Sequence, residues 1–187
     1  MSGAPLIAMP DAPLHDGEVA LRRWRPDDAE AIAAACQDPL IPRWTTVPSP
    51  YGIDDARGWL ASHAELISAA ELAPFAVTIA DDPAPAGSVA LQRFAWQHGR
   101  GEIGYWLAAP ARGGGVMSRA VRLLAGWGFD TLGLRRIDLL TDVANEPSQR
   151  VAERAGFRRE GVLRSYLVGA HGPFDAVMFA RLRDDPA

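Results

Sequence analysis

Residues 101–129 read GEIGYWLAAPARGGGVMSRAVRLLAGWGF, and residues 144–157 read ANEPSQRVAERAGF. The first stretch begins with EIGYWL, whose polar and apolar residues alternate as in a half-buried strand. It passes Pro110 into three successive glycines, then places Ala120, Leu123, Leu124 and Trp127 at i, i+3, i+4 and i+7, the spacing of an amphipathic helix. A strand that ends in a glycine turn and opens a helix offers unpaired backbone N–H groups to an anion, backed by the positive end of the helix dipole. The second stretch predicts another helix start after the strand RRIDLLT (135–141), with Asn145 and Ser148 at its mouth. Pro147 lies near the first helical position and Gly156 reads as the C-terminal stop. Two such junctions on neighbouring strands predict a site for a phosphorylated cofactor across the strand ends.

Outward from this pair the rest of the chain falls into place. PFAVTIA (74–80), GSVALQRFAW (87–96) and EIGYWLA (102–108) read as three strands of an antiparallel meander, the first two separated by the turn-rich DDPAPA. EVALRRW (18–24) is a further strand. In RPDDAEAIAAAC (25–36), Pro26, Asp27 and Asp28 are helix-start signals, and the helix should end by Asp38-Pro39. PLIPRWTTVPSPYG (39–52), with four prolines, is expected to be an irregular loop. A helix follows from Asp54 to about Ala70, with Trp59, Leu60, His63, Leu66 and Ile67 on one face. FRREGVLR (157–164) and FDAVMFARLR (174–183), joined by a turn near 169–173, close the chain. The order β-α-α-β-β-β-α-β-α-β-β describes a mixed α/β sheet whose parallel part lies around the glycine turn. Residues 1–16 read as a flexible, proline-rich tail rather than a signal peptide, and 17–183 as one domain.

The 187 residues suffice for one domain with a full-sized core. A net charge of −4 argues against nucleic acid as the main ligand, because phosphate-backbone binding needs a concentrated positive surface. No apolar run approaches the about 18 residues of a membrane span, so no membrane partner is expected. One cysteine, Cys36, excludes an internal disulfide, and the four histidines show no metal-ligand spacing, so no metal is expected. A reducing cytoplasm is the default location.

The run RGGGVMS (112–118) is not a Walker A loop, since no Gly-Lys-Ser/Thr follows at the required spacing. A dinucleotide fingerprint fits poorly: Ser118 replaces the third glycine, and three antiparallel strands precede it. The run resembles the acetyl-coenzyme A signature of the GNAT N-acetyltransferase superfamily, and more closely its Rim-type branch of ribosomal-protein N-terminal acetyltransferases. Arg112, Gly113, Gly115, Val116, Ser118 and Ala120 match that branch's pattern; Pro110, Met117 and Arg119 depart from it. The resemblance extends through GEVALRRWRPDDAEAI, EIGYWL and NEPSQRVAERAGFRREGVLR, covering about residues 17–182.

The resemblance implies a single domain with a mixed, mostly antiparallel sheet, splayed at the strand before the glycine turn and flanked by about four helices. It implies acetyl-coenzyme A as co-substrate, its pantetheine arm held by the backbone of Trp106, Leu107 and Ala108, with the amide of Leu107 or a neighbour as the oxyanion donor. The pyrophosphate would lie on Arg112, Gly113, Gly114, Gly115, Val116, Met117 and Ser118, mostly through main-chain N–H groups. Asn145 is either a helix cap or a contact to the cofactor arm. Ser148 would lie near the sulfur and protonate the leaving thiolate, since the tyrosine that many relatives carry on this helix is replaced here by Ala152.

An amine nucleophile must lose a proton, so a base or a water relay is needed. Glu102 is the best-placed carboxylate and Asp142 the second; His98 sits in an exposed turn. Trp44, Tyr51 and Tyr166 are candidates for the acceptor cleft, the first two serving equally well as local core plugs. The activity implied is direct transfer of an acetyl group to a small-molecule or peptide amine. A larger donor such as succinyl-coenzyme A, or a non-catalytic sensor, is the alternative. The oligomeric state is open, with homodimers common among similar proteins.

Overall fold

The computed structural model describes residues 6–80, 82–169 and 172–186. In chain order these form β1 (Leu14–His15), β2 (Val19–Arg22), α1 (Ala29–Ala35), α2 (Leu40–Trp44), α3 (Ile53–Ser68), β3 (Leu72–Ile79), β4 (Asp82–Ala95) and β5 (Arg100–Leu107). Then come α4 (Val116–Asp130), β6 (Arg136–Asp142), α5 (Glu146–Arg154), β7 (Arg158–Gly169) and β8 (Gly172–Leu182). The strands make one sheet in the order β1-β2-β3-β4-β5-β6-β8-β7. β5 and β6 are the parallel pair; the remaining neighbours are antiparallel. A parallel pair needs a crossover, and α4 supplies it.

The parallel pairing is short. It runs from Arg100↔Arg136 to Glu102↔Asp138 and stops. β5 continues on β4 as far as Gly87↔Leu107, while β6 continues on β8 to Asp142↔Ala176. The sheet therefore opens as a V between residues 103–107 and 139–142, the splay that the resemblance implies.

One face of the sheet packs on α4 and α5. Met117, Ala120, Val121, Leu124 and Ala125 turn inward from α4 to meet Val89, Leu91, Ile103, Ile137 and Leu139. Complete burial of a side chain such as Leu124 contributes about 1.5–3 kcal/mol. The helix lies close to the strands because Gly128 has no side chain: a Cβ there would stand 2.9 Å from Leu91 Cδ1 and 3.1 Å from Ile137 Cδ1. The opposite face carries a second core built on Ile32, Ile41 and Ala56, with Trp24, Trp59 and Trp106 packed against it. A buried, bidentate Arg22–Asp28 pair (2.8 Å for each bond) ties β2 to the start of α1.

Three expectations are corrected. The segment before residue 17 is not loose where it is described: Ile7 is 3% exposed within the main core, and β1 pairs with β2. Its apolar residues find room beside β2 and α4, and Arg119 holds Asp16 at 2.8 Å; residues 1–5 lie outside the described residues. The loop 39–52 contains the helical turn α2, nucleated by Asp38 Oδ1 accepting the Leu40 N–H and anchored by buried Ile41, so five α-helices are present among the described residues. β4 starts at Asp82 rather than Gly87. The turn expected near 169–173 falls partly on residues 170 and 171, outside the described residues. Among the described residues no helix is long and apolar enough to cross a membrane, and no group of His, Cys, Asp or Glu is arranged to hold a metal ion.

Candidate cofactor and acceptor site

The two sides of the V are built differently. On β5, alternate residues address opposite neighbours. Ala108 N–H donates to Ala86 O on the β4 side at 2.9 Å, whereas Gly99 O accepts from Arg135 and Arg136 on the β6 side. The odd-numbered residues thus turn their backbone groups toward β6, which places the N–H and C=O of Leu107 in the opening. The carbonyl is occupied by Arg112, through Nε at 3.0 Å and Nη2 at 2.7 Å. Arg112 also pairs with Asp38 at 2.6 Å, fastening the glycine turn to the end of α1. It acts as a clasp between loops, a structural role the sequence does not disclose. Trp106 projects from the opposite face toward the second core, and Ala108 leads into a 3-10 turn over Ala109–Ala111.

Gly113 (φ +92°) and Gly115 (φ +77°) adopt left-handed geometry that favours glycine. A Cβ at either position would meet no atom within 4 Å, so the outer side of the turn is open. Gly115 is the N-cap of α4 and brings no side-chain cap. The first-turn amides of Val116, Met117 and Ser118 therefore have no side-chain partner at the cap, while all three side chains are buried. Gly114 lies exposed between them. Main-chain donors at a helix N-terminus suit a pyrophosphate.

On the β6 side, Asn145 Oδ1 accepts the N–H of Ser148 at 3.2 Å, which is N-capping of α5. Asn145 is thus seen in its capping role, and capping is what sets Ser148 at the mouth of the V. Ser148 Oγ lies 2.7 Å from the hydroxyl of Tyr105, which also donates to the Ser148 carbonyl at 3.3 Å. Burial pushes the Tyr105 phenol up to about 12 despite the serine contact. The sequence reading missed Tyr105. Its signal was its register: two residues from Ile103, it faces the helix layer and not the acceptor side. Ala152 is fully buried in the main core.

Glu102 sits at the closed end of the V, five residues and about 16 Å along the strand from Leu107. Burial raises its carboxyl above the usual range; Arg93, at 3.1 Å, pulls the other way and Asp138 adds to the rise. Direct contact with a reacting amine near Leu107 is thereby out of reach. Asp142 ends β6, and its Oδ1 caps the Ala144 N–H at 2.7 Å. His98 is exposed in the turn before β5, as expected. The three acceptor candidates do not form one cluster. Tyr51 packs on the second core in the manner of a plug, and burial, then Cys36 and Asp55, push its phenol up to about 12. Trp44 carries the Arg43 guanidinium at 4.5 Å, and Tyr166 is 54% exposed on the irregular part of β7. Trp24, not singled out from sequence, packs on the second core with its ring 6.5 Å from that of Trp106. Cys36 is buried, and burial pushes its thiol up to about 11.

A family model for the acetyltransferase (GNAT) domain matches residues 18–158. The chain is 26% identical over 174 residues to the uncharacterized N-acetyltransferase p20 of Bacillus licheniformis, covering 93% of this chain and 98% of that protein. Among solved structures, a ribosomal-protein-S5-alanine acetyltransferase from Vibrio fischeri superposes with a TM-score of 0.82 at 24% identity, over 94% of this chain and 98% of that one. RimJ of Mycobacterium smegmatis, in complex with CoA-disulfide, superposes with a TM-score of 0.81 at 23% identity, over 92% and 87%. At these identities the two structures speak for the fold.

Proposed function

Because the chain belongs to the GNAT acetyltransferases, we propose that it moves an acetyl group from acetyl-coenzyme A directly to a primary amine, on a protein N-terminus or a small molecule. The observation that carries this reading is the free edge of β5 beyond Glu102, ending at an uncapped glycine turn. The residues fit the co-substrate. The turn from Gly113 to Gly115 is open where a pyrophosphate would lie, and the amides to Ser118 supply its donors. The backbone of Trp106–Ala108 would hold the pantetheine arm.

The Leu107 N–H then faces the thioester carbonyl and stabilises the oxyanion of the tetrahedral intermediate. One fixed donor of this kind contributes about 2.7–4 kcal/mol in comparable acyl transfers. Ser148 donates its proton toward the departing sulfur. Glu102 takes up the amine proton through water, its raised carboxyl suited to accept and return it. Cys36 is buried and far from this edge in sequence, so no cysteine acyl-enzyme enters the scheme. The ribosomal-protein acetyltransferase among the structural neighbours puts protein amines first among the acceptors to test.

The test is calorimetric titration of acetyl-, succinyl- and free coenzyme A into wild type and Gly115→Trp, followed by a screen for amine-dependent thiol release. Acetyl-coenzyme A binding that vanishes in the variant supports the reading. A folded wild type that binds no coenzyme A species sinks it, and preference for the succinyl form redirects the donor.

A further inference from the structure

Tyr105 connects the two walls of the V. It leaves β5 between Ile103 and Leu107, and its hydroxyl meets Ser148 on α5 at 2.7 Å (Oγ) and 3.3 Å (carbonyl). This contact lies beyond the last backbone pair of β5 with β6. It also places a tyrosine hydroxyl beside α5 although α5 itself carries none. We propose that Tyr105 is a positioning residue for Ser148, donating to the serine oxygen so that the serine O–H is free to point at the sulfur of the departing coenzyme A. The inference rests on the acetyltransferase reading above.

A phenol has one proton. When it is given to the Ser148 carbonyl, the 2.7 Å contact requires the serine to donate to the phenol oxygen. When it is given to Oγ, the serine proton is released for another acceptor. The Ser148 backbone is fixed by Asn145, so the choice falls to the two hydroxyl rotors. Negative charge growing on sulfur favours the second arrangement, because a bond to an ionised acceptor is about twice as strong as a neutral one. Burial keeps the phenol protonated, so it serves as a donor and not as a base. As the carbon–sulfur bond breaks, its electron pair goes to sulfur and the serine proton follows. The phenol proton passes to the serine oxygen, and the proton that Glu102 takes from the attacking amine returns to the phenol through water. The net change is one N–H exchanged for one S–H.

Tyr105→Phe keeps the ring and removes the proton. It is expected to lower kcat about a hundredfold, the low end for a positioned proton donor, with KM and calorimetric affinity for acetyl-coenzyme A within about twofold. Ser148→Ala should behave alike, and the double variant no worse than Ser148→Ala, since the phenol acts through the serine. A readout without turnover comes from free coenzyme A. Bound to wild type, its thiol should ionise at lower pH than in solution, followed by thiolate absorbance, and each single variant should shrink that shift.

If Tyr105→Phe fails to fold, replacing all three tyrosines with fluorotyrosine, a more acidic phenol, should bring the alkaline decline of kcat to lower pH; an unmoved decline counts against the proposal. Wild-type kcat together with an unchanged thiol shift in Tyr105→Phe overturns the positioning role alone, as do losses that multiply in the double variant. A wild type that binds no coenzyme A overturns this inference and the acetyltransferase reading together.

Discussion

Helices α4 and α5 both follow strands that border the V, yet their first turns are finished in opposite ways. α4 begins at Gly115, with a left-handed backbone, no side-chain cap and open space outside. α5 begins at Asn145, whose side chain takes the N–H of Ser148. A helix start leaves several amide donors unpaired in either case. Left uncapped, they become a binding surface for an anion; capped, they become a mount that fixes the side chains of the first turn. In the proposed reading, the same local event gives the cofactor its cradle on one strand and Ser148 its orientation on the next.

The largest effect should come from obstructing the open junction. Gly115→Trp forces a side chain into left-handed geometry and covers the amides. Losing two charge-assisted bonds, at about 1.5–3 kcal/mol each, should weaken coenzyme A binding at least about a hundredfold by calorimetry, while circular dichroism still reports a folded chain. Turning one junction into the other is the sharper experiment. Gly115→Asn tolerates the backbone angle and supplies the missing cap, so affinity should fall about tenfold, the worth of one charged bond, with the melting temperature within about 2 °C of wild type. If affinity is unchanged, the first-turn amides are not the anion's donors.

The converse change, Asn145→Ala, removes the cap of α5. It should cost about 1 kcal/mol, or about 2–4 °C in melting temperature for a chain of this size, and leave coenzyme A affinity nearly intact. The smallest effect concerns the outer face of α4, where Asp16 meets Arg119. Burial alone would raise that carboxyl, but the Val19 N–H, the Arg119 side chain and the Glu18 N–H outweigh it and hold the group at about 2, against an ordinary 3.8. A depressed carboxyl stabilises fully above its unfolded pKa and loses that contribution as pH falls through the folded value. Melting temperatures between pH 4 and pH 2, the window set by these two values, should therefore fall less steeply in Asp16→Asn than in wild type.

Much of this arrangement is legible in the residues themselves. The glycine run at 113–115, the alternation of EIGYWL and the Asn145–Ser148 spacing are local signals, and local structure obeys them. Contacts between distant segments leave no such mark. Ile7 reads as part of a tail because nothing nearby announces that β2 and α4 leave a space for it. The pairing of Arg112 with Asp38 is equally silent, because Asp38 lies 74 residues earlier, where it marks the end of a helix. Tyr105 is hidden for a subtler reason: the signal of this strand end lies in its backbone, while the Tyr105 side chain points to the face opposite Trp106. Tyr51, an aromatic in a proline-rich loop, reads equally as a cleft residue or a core plug, and it packs inward onto the helices.

The burial of Cys36 has a practical side. Reagents that count coenzyme A by its free thiol react with thiolates, and the chain's one sulfhydryl is enclosed between α1 and its neighbours with its thiol pushed up to about 11. Such reagents should find no competing target on the folded enzyme at neutral pH. Slow colour development without co-substrate would therefore report unfolding, and the cysteine becomes an internal gauge of sample integrity in the same cuvette that measures turnover.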